Sequence, residues 1–465
     1  MSTVVCVDFG STFTKAVLVA LDSGDLLATA SHPTTLPDGS GGCETGDVLD
    51  GYDACVAALA EQDPRALVAD VLACSSAGGG LRIAVVGNEE LVTAEAGRRV
   101  ALSSGGKVVR VLSGGLNAVR LAELRAAEPD VVLLVGGTDG GNAEVLEGDA
   151  DILAGAPWPG PVVVAGNIES QPSIAARLAA SGTPHVLADN VVPRIGVLAP
   201  DSARRAIREI FLSHVIGGKH LSSRTDARGR TFVDLVRGAT PDVVLTGVEL
   251  LARGIDDQHP GAGDVVVVDV GGATTDVHSV VELDPQDGAL AREVVATTPV
   301  TRTVEGDLGM RWSAVSTIEA ADRADLADAA VRRRAHPGFL PHDASERDAD
   351  LEIAAAAVRI ALERHAGRSK VVVSPQGRVV ERSGKDLREV DLLVGSGGVL
   401  RHGGPDAVRR VLLPATGDAF EGGWQLPRDP VVVVDRDCVL AAAGLLAEEH
   451  PVAAHRLVGR LRSGR

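Results

Sequence analysis

Two short stretches carry the residue types that phosphate chemistry needs. In VVCVDFGSTFTKAVLV, Val4 to Val19, an apolar run ends near Asp8, turns through Gly10, Ser11 and Thr12, and returns past Thr14 and Lys15 as a second apolar run. Gly10 lets an anion approach the backbone, the hydroxyls of Ser11, Thr12 and Thr14 add donors, and Asp8 suits a hydrated Mg²⁺ held against that anion. Taken alone, the stretch also fits an ordinary hairpin with a polar turn, and Lys15 fits a solvated strand lysine. DVVVVDVGGATTDVHSVVEL, Asp264 to Leu283, repeats the logic: a valine run, Asp269, the turn at Gly271 and Gly272, then Thr274 and Thr275 opening the return. A third cluster, Gly395, Ser396, Gly397 and Gly398, follows an apolar run and leads into a helical pattern. Such a turn suits a nucleotide's sugar and α-phosphate at a helix N-terminus.

The surrounding elements must bring these clusters together. LLATASH extends the first hairpin into a meander, a helix is expected over Val48 to Gln62, and VADVLACSS reads as a strand. From Leu81 to about Asn190, RIAVVG, KVVRVLS, DVVLLVGG, GPVVVAGN and HVLADN alternate with helical patterns. That alternation predicts βα units on a parallel sheet, a Rossmann-like insertion. Within it GGTDGGN, Gly136 to Asn142, is either a tight turn with Asn142 as helix cap or a place where Asp139 and Asn142 meet a ligand or partner. Thr240 as N-cap and Pro241 open one helix. Asp435 or Asp437 caps another, smooth-faced at Ala441, Ala442, Ala443 and Gly444. Val315 to Arg364 is Ala-rich and helical, and HRLVGRLRSGR reads as a frayed basic tail.

Asp8 to Lys15, Asp269 to Asp276 and Gly395 to Gly398 together resemble the two phosphate motifs and the adenosine motif of the actin-like ATPase superfamily. That resemblance implies an α/β, two-lobed actin-like ATPase with ribonuclease H-like lobes and an inserted Rossmann-like region, closing on Mg-ATP. DFGSTFTK, DVGGATTDVHSV, GGTDGGN and RTVEGDLGMR (Arg302 to Arg311) narrow the resemblance, over about Thr3 to Ala447, to the MutL family encoded beside adenosylcobalamin-dependent glutamate mutase. That family is unrelated to the mismatch-repair protein of the same name. The resemblance implies ATP/ADP and Mg²⁺ as ligands, mutase subunits as partners, and a reactivating or accessory role with slow ATP hydrolysis. It places Asp8 and Asp269 at the metal and gives Glu249 the task of positioning water, with a surface glutamate as the alternative. It starts a helix at Glu305 to Leu308, with Glu305 on a ribose hydroxyl and Arg311 stacked on adenine, or else as a helix start without ligand. The expected segments are 1–80 for the first lobe, 81–200 for the insertion, 201–255 for connectors, 256–450 for the second lobe and 451–465 for the tail. Two other functions fit the same motifs: a small-molecule kinase, for which GGWQLP at Gly422 is the only candidate sugar-binding run, and a scaffold that binds nucleotide without hydrolysing it.

Composition sets outer bounds. With 465 residues the chain is long enough for two or three cores. Only 2% of residues are aromatic, so those cores must be built from Val, Leu, Ala and Ile. A net charge of −18 argues against nucleic acid or an anionic membrane as partner. The five cysteines, Cys6, Cys43, Cys55, Cys74 and Cys438, form no C-x-x-C pair, and no apolar run approaches a membrane span, so a cytoplasmic location is expected. The identity of the mutase and homo-oligomer formation are left open by the sequence.

Overall fold

The computed structural model describes residues 2–37, 46–156, 158–282, 298–374, 377–417 and 423–462. In chain order the first-lobe strands are β1 (Thr3–Phe9), β2 (Phe13–Ala20), β3 (Leu26–Pro33) and β4 (Asp70–Ser75). The inserted strands are β5 (Leu81–Gly87), β6 (Gly106–Ser113), β7 (Val131–Leu134), β8 (Val162–Val164) and β9 (His185–Leu187), after which β10 (Val236–Ala239) returns to the first sheet. A small hairpin, β11 (Gly254–Asp256) with β12 (His259–Pro260), precedes the second lobe. That lobe has β13 (Val265–Val270), β14 (Thr275–Val280), β15 (Val300–Glu305), the hairpin β16 (Arg368–Ser374) with β17 (Gly377–Ser383), β18 (Leu392–Ser396) and β19 (Val431–Val434).

The first sheet runs β3-β2-β1-β4-β10 and the second β15-β14-β13-β18-β19. In each, the leading three strands form an antiparallel meander, and the other two run parallel to its first strand. The chain therefore builds one α/β design twice, the two ribonuclease H-like lobes of the actin-like ATPase fold. The valines of β13 are buried on both faces, which is why that strand reads as an unbroken apolar run rather than an alternating one.

Between β4 and β10 lies a third sheet, all parallel, in the order β6-β5-β7-β8-β9. Counted within the insertion this is 2-1-3-4-5, the flavodoxin-like form of a doubly wound sheet. Helices α2 (Glu95–Ser103) and α6 (Asp201–Ile210) cover one face, whose core runs on into that of the first lobe, where α1 (Val48–Gln62) packs. Helices α3 (Ala118–Ala126), α4 (Glu144–Gly155) and α5 (Gln171–Ala180) cover the other face with a core of their own.

Two helices join the lobes: a first connector, Thr240–Arg253, and a second, Val439–Leu446. They cross at two glycines. A Cβ on Gly247 would overlap the carbonyl of Leu440, and one on Gly444 would overlap the carbonyl of Val243. The apolar core around them takes residues from both lobes, Val4, Cys6, Val17 and Val19 on one side and Val265, Val267, Val280 and Leu392 on the other.

Three expectations change. The first connector begins after Ala239, so Thr240 is its first residue rather than its cap. Glu305 still belongs to β15, where it pairs with Thr275, and the next helix starts only at Ala314; the pairing with β14 runs up to the turn signal at Gly306. The segment expected to fray instead forms a helix, Pro451–Val458, that buries Ala453, Ala454, Leu457 and Val458 in the core shared by the lobes. Arg456 fixes it by donating to the carbonyl of Asp22 at 2.9 Å. Among the described residues no helix is long and apolar enough to cross a membrane.

Candidate functional site

Asp8 lies in the buried part of β1, and the antiparallel register sets Lys15 directly opposite it. The Lys15 ammonium donates to Asp8 Oδ2 at 3.2 Å. The hydroxyl of Thr240, at the start of the first connector, donates to Asp8 Oδ1 at 2.7 Å. One carboxylate is thus held from its own hairpin and from the interlobe joint.

The second hairpin has the same register but a different pair, since Asp269 faces Asp276. Asp276 is neutralised from the neighbouring strand, where Arg302 donates to its Oδ1 at 2.5 and 3.0 Å. Burial raises the Asp269 carboxyl above its usual range and Asp276 adds to that, against the opposing pull of Lys15, Arg401 and the Ser396 hydroxyl. Burial opposes the charge on Lys15, yet Asp8 foremost, then Cys438 and Asp269, hold it above the ordinary lysine value. Lys15 therefore feels both aspartates, one from each lobe, while its hydrogen bond goes to Asp8.

The third cluster closes the site from the second lobe. Gly397 has φ +110°, and a Cβ there would run into the carbonyl of Val270 at the end of β13, so no other residue fits between the adenosine-type turn and the second hairpin. The short helix that follows it, Gly398–His402, carries Arg401, which donates to Cys438 Sγ at 2.6 Å. Burial pushes the Cys438 thiol up to about 11. Asp435 caps the second connector by accepting from the amides of Val439 and Leu440 at 2.9 and 3.1 Å.

The remaining expected residues divide. Gly10, Ser11 and Thr12 form the turn beside Asp8, with Ser11 exposed, and Gly271, Gly272 and Thr274 form the matching turn beside Asp269. Thr14 is turned away: fully buried, it shares a hydrogen bond with Thr34 at 3.2 Å. Thr275 is also buried and donates to the carbonyl of Leu308 at 3.0 Å. Both follow from strand alternation, which sends neighbours to opposite faces. Glu249 sits nine residues along the first connector from Thr240, about 13 Å by helical rise. There it pairs with Arg204 at 3.1 Å and Arg253 at 3.7 Å, not with the hairpins. Glu305 pairs with Arg364 at 2.7 Å, and Arg311 makes a two-point bond to Asp350 at 3.2 and 3.1 Å.

Thr240, Arg302, Arg401 and Trp312 reach the site without belonging to any glycine cluster. Trp312 is 41% exposed, and its ring lies so close over Gly272 that a Cβ there would come within 2.7 Å. In a chain this poor in aromatics, an exposed tryptophan on a phosphate-type turn was the one signal available. The run proposed for a sugar is otherwise engaged: Trp424 stacks under Arg368 with the guanidinium carbon 3.5 Å from the ring centroid. Gly422 lies outside the described residues, as does Cys43.

A divalent ion fits here on donor chemistry. Asp8 and Asp269 offer hard oxygen ligands from opposite lobes, with the Lys15 ammonium paired to Asp8, and Mg²⁺ takes few protein carboxylates and keeps much of its water. Among the described residues no cluster of three or more His, Cys, Asp or Glu forms a closed metal cage.

The family model described as MutL protein matches residues 4–461. A curated relative, Protein MutL of Clostridium tetanomorphum, is 34% identical over 471 residues, spanning 98% of each chain. Among solved structures, ethanolamine utilization protein EutJ of Carboxydothermus hydrogenoformans is 11% identical, over 99% of this chain and 90% of its own, with a TM-score of 0.27. A gluconate kinase of Lactobacillus acidophilus is 12% identical, over 99% and 92%, with a TM-score of 0.31. Scores at that level add nothing to what the sheet order already says.

Proposed function

Since this chain belongs to the MutL protein family, we propose that it is an ATP-driven accessory factor, binding Mg-ATP between its lobes and using their movement to act on an adenosylcobalamin-dependent mutase of the glutamate mutase type. The observation that carries the nucleotide part is the Asp8–Lys15 pair on the first hairpin together with Asp269 at the equivalent position of the second. The partner rests on the family resemblance of the motifs, and a cytoplasmic setting goes with it.

Asp8 and Asp269 would hold a hydrated Mg²⁺, which when bound neutralises charge on the phosphates. Lys15, paired with Asp8 at 3.2 Å, would be placed to offer its ammonium to a phosphate oxygen. The turns at Gly10 to Thr12 and Gly271 to Thr274 supply backbone amides and hydroxyls from opposite sides. Gly395 to Gly398 receives the sugar and α-phosphate. Phosphoryl transfer to water asks for positioning and electrostatics more than a covalent nucleophile. The engagement of Glu249 by Arg204 and Arg253 is in keeping with slow turnover.

The test is phosphate release from Mg-ATP by the purified protein, with and without a candidate cobalamin mutase. Asp8→Ala and Asp269→Ala should each lower the rate by roughly 10²-fold or more, the scale of losing one preorganised electrostatic group. Turnover stimulated by the mutase is the expected result. Nucleotide binding with no turnover would move the protein to the scaffold class, and turnover requiring a small-molecule acceptor would move it to the kinases.

A further inference from the structure

One turn of the inserted domain, Ser103 to Gly106 between α2 and β6, touches both hairpin systems. On its second-lobe side stands Arg302, 5% exposed, whose guanidinium is divided between two tasks. Its Nε and Nη2 donate to Asp276 Oδ1, while Nη1 donates to the carbonyls of Leu102 and Gly106 at 3.0 and 3.2 Å. The other oxygen of Asp276 accepts from the Thr274 hydroxyl at 3.1 Å, so an unbroken chain of hydrogen bonds runs from the second turn to the insertion. On the connector side, Gly105 packs directly on Asp242. Asp242 is two residues past Thr240, whose hydroxyl holds Asp8.

Arg302 is suited to this double role by its shape. The planar fork carries five donors in fixed directions, and carbonyls at a helix C-terminus hold partial negative charge, so a single cation serves a carboxylate and a helix end together. If Thr274 gives its hydroxyl to a phosphate oxygen, Asp276 loses a partner and Arg302 is drawn further onto the carboxylate, at the expense of Leu102 and Gly106. The same turn is pressed by the first connector, whose glycine crossing is the joint on which the lobes move.

We infer that Arg302 couples occupancy of the second hairpin to the position of the inserted domain, through the turn Ser103 to Gly106. This rests on the nucleotide reading above. Arg302 touches no ligand in it and acts only through Asp276 and the turn, as a positioning residue.

Hydrogen–deuterium exchange on the full chain, with and without saturating Mg-ATP, tests the coupling, and titration calorimetry on the same samples reports binding separately. In the wild type, Mg-ATP should change exchange in peptides covering Leu102 to Gly106 by about fivefold or more, the low end of coupling between sites. Arg302→Lys keeps a charge for Asp276 but cannot bridge it to two carbonyls; it should still bind nucleotide in calorimetry and lose the exchange response. The paired variant Asp276→Asn with Arg302→Gln, which buries no lone charge, should lose it as well. A full response in either variant, or a wild type that binds Mg-ATP with no response in the turn, overturns the coupling. A wild type that shows no nucleotide binding in calorimetry overturns the nucleotide reading instead, and the coupling falls with it.

Discussion

Asp8 faces a lysine across its hairpin, whereas Asp269 faces a second aspartate that must be neutralised from β15. The two lobes thus reach the same electrostatic end by different residues. Glu249 provides a discriminating test. Because its partners are Arg204 and Arg253, Glu249→Gln should leave phosphate release within about threefold of wild type, where loss of a true general base costs roughly 10² to 10⁴. Lys385 offers a second. It is buried with His365 around Ser279, donating to that hydroxyl at 3.1 Å and to the Pro299 carbonyl at 2.7 Å, and burial brings it down to about 7. The folded value lies below the unfolded one of 10.5, so between the two the unfolded chain binds more protons. Stability should therefore climb as pH rises from about 7 towards 10, by at most about 1.4 kcal/mol per pH unit. Denaturation of Lys385→Met across that range should show a flatter profile; an unchanged slope would remove Lys385 as its source. Asp8 and Asp269 were legible in the sequence because aspartate, glycine and hydroxyls lie within a few residues of each other. Thr240, Arg302 and Arg401 were not, because Thr240 meets Asp8 only after more than two hundred intervening residues, Arg302 meets Asp276 by way of a neighbouring strand, and Arg401 meets Cys438 from a separate element. The outward signals at Thr14 and Thr275 misled for a simpler reason: a turn's composition does not say which side of the pleat each hydroxyl takes.

The connector helices show how much of an element's role lies in a single missing atom. Their smooth faces were legible in Ala441 to Gly444, but Gly247 as the reciprocal contact was not, since nothing in one helix names the residue it will meet in another. Gly247→Ala and Gly444→Ala each drive a methyl group into a backbone carbonyl. Each should cost about 1–3 kcal/mol in urea denaturation, the usual range for overpacking. Because both changes open the same crossing, the double variant should cost less than the sum. Additive losses would mean that the helices do not share that contact. The insertion was legible as alternating strands and helices, while its 2-1-3-4-5 order was not, as strand order depends on crossovers that leave no local trace.

At the scale of the whole molecule, cores overlap where lobes meet. The insertion shares one face with the first lobe, and residues of both lobes build the core around the connectors. Calorimetry should accordingly show a single main unfolding transition that moves upward with Mg-ATP, whereas separate transitions for lobes and insertion would contradict a shared core. The helix Pro451–Val458 adds a condition on the order of events. It packs its buried face into that shared core and ties Arg456 to the turn between β2 and β3, some of the earliest residues in the chain. A ribosome makes Asp22 long before Arg456 exists, and domains ordinarily fold from the N-terminal end as they emerge. Here the first hairpin gains part of its cover only when the helix Pro451–Val458 has been synthesised. A nascent chain stopped before Pro451 is expected to remain sensitive to protease around Leu21 to Leu26, so the turn between β2 and β3 is secured only once Arg456 has been made.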